Sequence, residues 1–355
     1  MQKLDRIQIK GFKSIREMDL ELNALNILIG ANGAGKSNFI EVFRLLREIV
    51  KQRLQYYVQK SGGANTLLHF GEKVTDLIFL KFTFEVGEYE AKFYSTKDDT
   101  LLIAESGNII GLRFKKPSPH QETLLATDNS LRPFFQALMF VIQGWQVYHF
   151  HDTSDTALVK KTHDLNDNEY LRPDASNLAA FLYLLQEKYP HEYKQIVETI
   201  RLAAPFFDDF HLRPNPLNED KIILEWHEKN SDAYFDASYL SDGTLRFMCL
   251  TTLLLQPNLP STILIDEPEL GLHPFAITSL ARMLKAASTL SQVIVSTQSV
   301  PLVNQFFPED IIVVDRIEGQ STFRRPDPES LTLWLEDYGV GDLWQKNVIG
   351  GRPQR

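Results

Sequence analysis

A chain of 355 residues, 43% apolar and 23% charged, can bury one large core or two modest ones, and this composition excludes a disordered or fibrous protein. Its formal charge of −9, from 37 basic and 46 acidic residues, excludes a protein that coats nucleic acid through bulk electrostatics, while leaving room for a local basic groove. The single cysteine, Cys249, excludes an internal disulfide framework and a cysteine-rich zinc site and fits a reducing cytosol. The N-terminal phrase MQKLDRIQIKGFKSI has no apolar run, and no stretch of the chain approaches the roughly 18 apolar residues of a span, so neither a signal peptide nor a membrane segment is expected.

LDRIQIK (residues 4–10) alternates apolar and polar residues and predicts an exposed or edge strand. MDLELNALNILIG (18–30) starts in the same way and ends as a nearly continuous apolar run, Leu25 to Ile29, which predicts a buried central strand. Between them GFKSIRE is a turn whose cations, Lys13 and Arg16, serve solubility equally well.

After the buried strand comes Gly30-Ala31-Asn32-Gly33-Ala34-Gly35-Lys36-Ser37, which matches the phosphate-binding pattern G-x-x-x-x-G-K-[ST] and opens a helix. Glycines allow backbone N–H groups to turn toward phosphate oxygens, and the helix N-terminus adds a positive dipole end. Lys36 would reach the β- and γ-phosphates of a nucleotide and the Ser37 hydroxyl would ligate Mg²⁺. With Asn38, these residues form the candidate nucleotide site. The helix carries Phe39, Ile40, Val42, Phe43, Leu46, Ile49 and Val50 at helical spacing and is expected to run to about Gln59.

LLHFG (67–71) leads into a meander of strands, DLIFLKFTFEV, EYEAKFYS and LLIAE, with a turn at Ser106-Gly107-Asn108. His69 either faces the nucleotide or is a structural loop residue. From about residue 115, KKPSPHQETLLATDNS reads as a linker, followed by a helix from Leu131 to Gln143. GWQVYHFH places His149 and His151 at a strand's i, i+2 spacing, near Asp152 and His163, but no fourth ligand falls at a recognised metal spacing. Two helices, SNLAAFLYLLQEKY and HEYKQIVETIRLAAPFF, and a strand pair, KIILEWHEK and AYFDASYL, around Lys229-Asn230 complete this region.

Ser241-Asp242-Gly243 then opens the apolar helix LRFMCLTTLLLQ, a second phosphate-cradling turn that by itself is equally an ordinary helix cap. ILIDEPELGLHP (263–274) delivers Asp266 and Glu267 to a strand end, where paired acids suit a metal and a base. Alone, such a pair is as readily a solvated loop start. A helix from Pro274 to Ala287, the buried strand QVIVSTQS and the strand DIIVVDRIE follow, and the chain closes on GVGDLWQKNVIGGRP.

The ordered set GANGAGKS, LSDGT, ILIDEPELGLHP and VIVSTQS resembles the ABC-type ATPases of the SMC, RecF and OLD group, and more narrowly the RecF-like AAA ATPases without a coiled coil. The resemblance spans nearly the whole chain, including IKGFKSI and LWQKNVIGGRP. It implies an α/β P-loop NTPase fold, an ABC-type ATPase head with a mixed central sheet, an antiparallel β add-on and an inserted, mainly helical lobe. The core would comprise residues 1–114 and 239–355, and the lobe 115–238. The resemblance further implies that Asp266 holds Mg²⁺, that Glu267 polarises the attacking water, and that Ser241, Asp242 and Gly243 cap the γ-phosphate bound by a second copy. The assembly is then a head-to-tail homodimer around two ATP molecules, with Glu269 to His273 meeting the opposite subunit.

Two departures from the family pattern stand out. Gln298 occupies the place of a switch histidine, so an amide replaces a charge at the γ-phosphate and slow turnover is expected. No glutamine-loop residue can be placed; Gln59 and His69 are the candidates. Three functions compete: a dimeric ATPase switch in DNA repair or defence against foreign DNA, a nucleotide-dependent module that regulates a partner effector such as a nuclease or toxin, and a transporter ATPase. The roughly 200 residues between Ser37 and Leu240 exceed a transporter's usual compact lobe and disfavour the third. Lys115 and Lys116, or Lys160 and Lys161, would serve a nucleic-acid groove, whereas the acidic balance favours a protein partner.

Overall fold

The structure, a computed structural model, describes residues 3–142 and 144–352. Gln143, at the expected end of the helix from Leu131, and Pro353, in the closing phrase, lie outside the described residues, as do Met1 and Gln2. The chain forms two compact units: Met1–Val147 with Ser261–Leu264 and Gln292–Arg355, and Tyr148–Pro260 with Ile265–Ser291.

The chain begins with β1 (Leu4–Phe12), β2 (Ile15–Glu21) and β3 (Leu25–Ile29), then α1 (Lys36–Val50), α2 (Leu54–Lys60) and the single turn α3 (Ala64–Leu67). Next come β4 (Leu77–Phe84), β5 (Gly87–Ser95), β6 (Leu101–Ile109), β7 (Leu112–His120), α4 (Arg132–Ile142) and β8 (Trp145–Tyr148). The second unit carries β9 (His163–Asp164), α5 (Leu178–Lys188), α6 (Pro190–Ala203), β10 (Phe207–Phe210), β11 (Lys221–Ile222), β12 (Glu225–Glu228), β13 (Tyr234–Asp236) and α7 (Asp242–Leu255). After β14 (Thr262–Asp266) and the second unit's α8 (Pro274–Ser288), the chain ends in β15 (Gln292–Thr297), α9 (Val300–Val303), β16 (Ile311–Ile317), β17 (Gln320–Arg324), α10 (Pro328–Leu335) and α11 (Val340–Gln345).

Two six-stranded sheets organise the first unit. One is antiparallel, β2-β1-β4-β5-β6-β7; the other is mixed, β17-β16-β3-β15-β14-β8. All of β3 is buried, and it runs parallel to β15 and β16, with Ile29 opposite both Thr297 and Val313. Covered on both faces, such a strand must be apolar throughout, which is why LNILI reads as it does. Helix α1 places Phe39, Ile40, Phe43 and Leu46 in one apolar cluster with Ile7 and Ile9 of β1 and Ile78, Leu80 and Phe82 of β4. Trp145 packs into it, its ring centroid 5.2 Å from Phe43 and 5.9 Å from Phe82. Each such side chain contributes about 1.5–3 kcal/mol by leaving water.

Several local expectations are corrected. β1 is interior, between β2 and β4, because the meander adds a strand that a reading of the first residues alone cannot foresee. MDLELNALNILIG divides into β2 and β3, which join different sheets. The long helix breaks after Val50, where Gln52 takes φ 56°, and α2 restarts because the Glu122 carboxylate accepts the amides of Leu54 (2.8 Å) and Gln55 (3.0 Å). Ser106-Gly107-Asn108 lies inside β6, and the turn falls at Ile110 and Gly111, with φ 53° and 77°. Gly107 is there for contact: a Cβ would sit 2.7 Å from the Glu88 carbonyl oxygen and from the Phe134 ring. The expected linker begins as edge strand β7, whose exposed lysine and prolines suit an edge that must not recruit another strand. KIILEWHEK also divides, β11 pairing with β9 and β12 with β13.

In the second unit α6 packs on α5, α7 and α8, beside the sheet β10-β12-β13. Helix α7 is buried from Leu245 to Leu254, and burial pushes the Cys249 thiol up to about 12.

One carboxylate is buried in the meander of the first unit. Glu105 is 4% exposed and accepts hydrogen bonds from Tyr89 Oη (2.7 Å), Thr123 Oγ1 (2.8 Å) and Leu124 N (3.3 Å), yet burial still raises its pKa. The folded value then lies above the unfolded one, so stability falls as pH rises from 4.5 through the raised value. The melting temperature of the wild type relative to Glu105→Gln is therefore expected to decline over that window in calorimetry; a difference that grows with pH would mean that the donors outweigh burial.

Candidate functional site

The GANGAGKS loop leaves the end of β3 and closes onto α1. Its turn depends on Gly33 (φ 75°) and Gly35 (φ 119°), a backbone that L side chains rarely adopt. Gly35 is also fixed by contact, since a Cβ there would lie 2.1 Å from Ser321 Oγ. Ser321 on β17 donates to the Ala34 carbonyl and shares a hydrogen bond with Ser14 Oγ (2.6 Å), and Asn38 Nδ2 donates to Ser14 Oγ (2.7 Å). Arg316 on β16 donates to the Gly33 carbonyl at 3.1 Å. The loop is thus held from behind by residues distant in sequence, and its face is left to Asn32, Gly33 and Ser37, all exposed.

Lys36 is 5% exposed, and its Nζ donates to the carbonyls of Gly30 (2.6 Å) and Ala31 (3.1 Å). The first turn of the 15-residue helix α1 carries no acidic residue, so its positive dipole end is not neutralised by its own side chains. Thr297 of β15 lies opposite Ile29, so Gln298 and Gly30 leave adjacent parallel strands at the same level. Gln298 is half-buried.

The remaining candidates belong to the second unit. Ser241 caps α7, its Oγ accepting from Thr244 N at 3.2 Å, and Ser241 and Asp242 are exposed. Gly243 is tightly constrained, since a Cβ would meet the Gly271 carbonyl oxygen at 2.1 Å. Asp266 and Glu267 are half-buried and line a narrow pocket with Phe150, His151, Arg246, Leu250, Ile265 and Pro268. Glu267 has φ 45°, a conformation that costs of order 1–3 kcal/mol and persists where surrounding structure enforces it. His273 caps α8, accepting from Phe275 N at 3.3 Å, and Leu270, Gly271 and His273 are exposed.

One residue escaped the sequence reading, and one that it named, His151, is placed differently by the structure. Arg246, one turn into α7, is 7% exposed and donates to the carbonyls of Phe150 (2.8 Å), His151 (3.3 Å) and Leu270. It ties the Ser-Asp-Gly turn to the loop after Glu267 and to the segment after β8, and desolvation lowers its pKa. His151 lines the acid pocket rather than a strand, since β8 ends at Tyr148. An arginine in an otherwise apolar helix was the available signal for the first; nothing local distinguishes the second from His149.

Other histidines serve the framework. His69 is 3% exposed and its Nδ1–H donates to the Lys13 carbonyl at 2.7 Å, which fits the structural alternative. Gln59, on α2, is exposed. His163 Nε2 donates to the Leu158 carbonyl (2.8 Å), and Asp152 accepts from Ser154 N and Oγ. Among the described residues no group of three or more His, Cys, Asp or Glu side chains is arranged to hold a metal, and no helix is long and apolar enough to cross a membrane.

Residues 25–304, more than three-quarters of the chain, match the family model described as "AAA domain, putative AbiEii toxin, Type IV TA system". The chain belongs to that family. Its fold is that of the SMC head. The structure of an SMC head bound to the C-terminal winged-helix domain of ScpA is 16% identical over 93% of this chain and 99% of that one, with TM-score 0.58. The SMC head with an extended coiled coil bound to the C-terminal domain of ScpA from Pyrococcus furiosus is 14% identical over 95% and 99%, with TM-score 0.56. At these identities the likeness speaks to fold alone. No curated protein matches the chain.

The clamp on Arg246 is open to direct test. Arg246→Ala orphans three carbonyls, at roughly 1–3 kcal/mol for each that water cannot reach, and is expected to lower unfolding free energy in urea. Arg246→Lys should recover only part of the loss, because an ammonium lacks the guanidinium fork.

Proposed function

We propose that this member of the AAA family is an ATP-binding and ATP-hydrolysing switch that closes as a head-to-tail homodimer, acting in DNA repair and maintenance or in defence against foreign DNA. The observation that carries the reading is the glycine turn braced by Ser321 and Arg316 and set at the uncompensated N-terminus of α1, an arrangement suited to phosphate. In this reading Gly30, Asn32, Gly33, Ala34, Gly35 and Asn38 cradle the phosphates and Lys36 neutralises them. Ser37 and Asp266 offer the hard oxygen donors that Mg²⁺ takes, and the ion would spread charge from the phosphates. Glu267 orients the attacking water, and Gln298 offers an amide to the γ-phosphate.

Ser241, Asp242 and Gly243 act on the nucleotide of a second copy. The exposure of Ser241 at the start of a buried helix supports this role, since a hydroxyl bonded locally to Thr244 N (3.2 Å) and Thr244 Oγ1 (2.8 Å) at an exposed helix N-terminus is accessible to an incoming phosphate. Phosphoryl transfer is mainly positioning and charge neutralisation, so a site completed only by dimerisation makes hydrolysis conditional on assembly. ATP closes the dimer and hydrolysis opens it.

Glu267→Gln is expected to cut hydrolysis about a hundredfold or more and to trap a dimer with ATP and Mg²⁺. Light scattering that finds only monomer under those conditions would sink the sandwich arrangement. With Gln298 in place of a histidine, single-turnover hydrolysis should run below about 1 s⁻¹, at the low end for enzymes, and Gln298→His should speed it. The acidic balance and the toxin–antitoxin description of the family favour a second reading, in which slow hydrolysis times the release of a partner effector. Salt-titrated DNA binding separates the two: direct phosphate contacts weaken steeply with salt, and a protein-regulating module shows no such binding.

A further inference from the structure

Phe70 stands out among the exposed apolar residues of the first unit. It is 59% exposed and takes φ 56°, where a bulky side chain is a genuine outlier. The backbone is forced there by its neighbours: Leu68 bridges Phe12, His69 N donates to the Gly11 carbonyl (3.0 Å), Gly71 N donates to the Leu68 carbonyl (3.1 Å), and Thr75 Oγ1 donates to the His69 carbonyl. The ring is braced by the buried His69, centroids 4.3 Å apart, and abuts Gly319, where a Cβ would lie 2.7 Å from Phe70 Cζ. An unfavourable backbone, a rigid mount and a glycine that makes room combine to hold an aromatic face in water.

The β16–β17 hairpin fixes how far this face lies from the phosphate loop. Arg316 and Ser321 are paired across it, and they hold the carbonyls of Gly33 and Ala34. Its tip, Glu318 and Gly319 at φ 50° and 80°, is the part that meets Phe70. One residue on each strand, Ile317 and Gln320, separates the pair from the tip, so the tip that meets the ring stands roughly 7 Å along the hairpin from the pair that holds the loop. That is the reach of a ribose and base from phosphates seated in the loop.

We propose that Phe70 is the platform on which the base of the bound nucleotide stacks, a specificity-determining residue that tells a nucleotide from a bare polyphosphate. The proposal rests on the nucleotide reading of the GANGAGKS loop. Stacking engages the π-face, so it discriminates base from no base more than one purine from another.

Calorimetric titration of the full chain with Mg²⁺-ATP and with Mg²⁺-tripolyphosphate tests it. Phe70→Ala is expected to weaken ATP binding about tenfold, within the range for base–aromatic stacking, and to leave tripolyphosphate unchanged, while Phe70→Trp retains ATP affinity. Because the ring is exposed, the alanine variant should fold, and Phe70→Gly should melt higher than Phe70→Ala by relieving the backbone. Unchanged ATP affinity in Phe70→Ala, or an equal loss for both ligands, overturns the proposal while the loop reading stands. If the wild type binds neither ligand, or if Lys36→Ala binds both as the wild type does, the loop reading fails and the platform fails with it.

Discussion

The fit of Ser321 against Gly35 is the contact on which the glycine loop after β3 depends. A loop of successive N–H groups has little reason to stay turned inward unless something behind it takes its carbonyls, and Ser321 takes that of Ala34 while leaving no space for a side chain at Gly35. The serine comes from the far end of the chain, on a strand paired to β16, which lies beside β3. The last strands of the chain therefore shape a loop encoded near its start. Ser14, in the turn between β1 and β2, completes the brace by linking Ser321 to Asn38.

A comparable economy governs the second unit. Gly243 and Gly271 touch backbone to backbone, and the Arg246 guanidinium closes over Leu270 and reaches Phe150 and His151. A buried arginine is expensive to desolvate, and three carbonyl acceptors offset that cost only while all three segments keep their places. The turn before α7, the loop after Glu267 and the segment after β8 are consequently coupled. Movement of one disturbs the hydrogen bonds of the others.

Much of this was legible in the sequence because it rests on local rules. An all-apolar strand, a glycine loop and an amphipathic helix announce themselves within twenty residues, and so β3, the glycine loop after it and the start of α1 were placed correctly, as were β14, α8 and β15. What failed was set by distant partners. The restart at Leu54 depends on Glu122, and the strand character of Lys115 and Lys116 depends on pairing with β6. Ser321 and Ser14 have no local signature, and Arg246 has only the oddity of a charge among apolar neighbours. The division of MDLELNALNILIG arises because Leu22 N donates to the Asp5 carbonyl, while Asn26 binds Asn23 through its side chain, a turn hidden in a run that alternates like a single strand.

The burial of Cys249 carries a practical consequence. It is the sole thiol of the chain, sits at 2% exposure and ionises only near pH 12, so almost no thiolate exists at neutral pH to attack an alkylating reagent. The native protein is effectively silent to thiol-directed dyes. A pair of fluorophores attached through cysteines introduced at exposed positions would therefore report distances between chosen points without background labelling, and the wild-type sequence can serve as the scaffold without first removing its own cysteine.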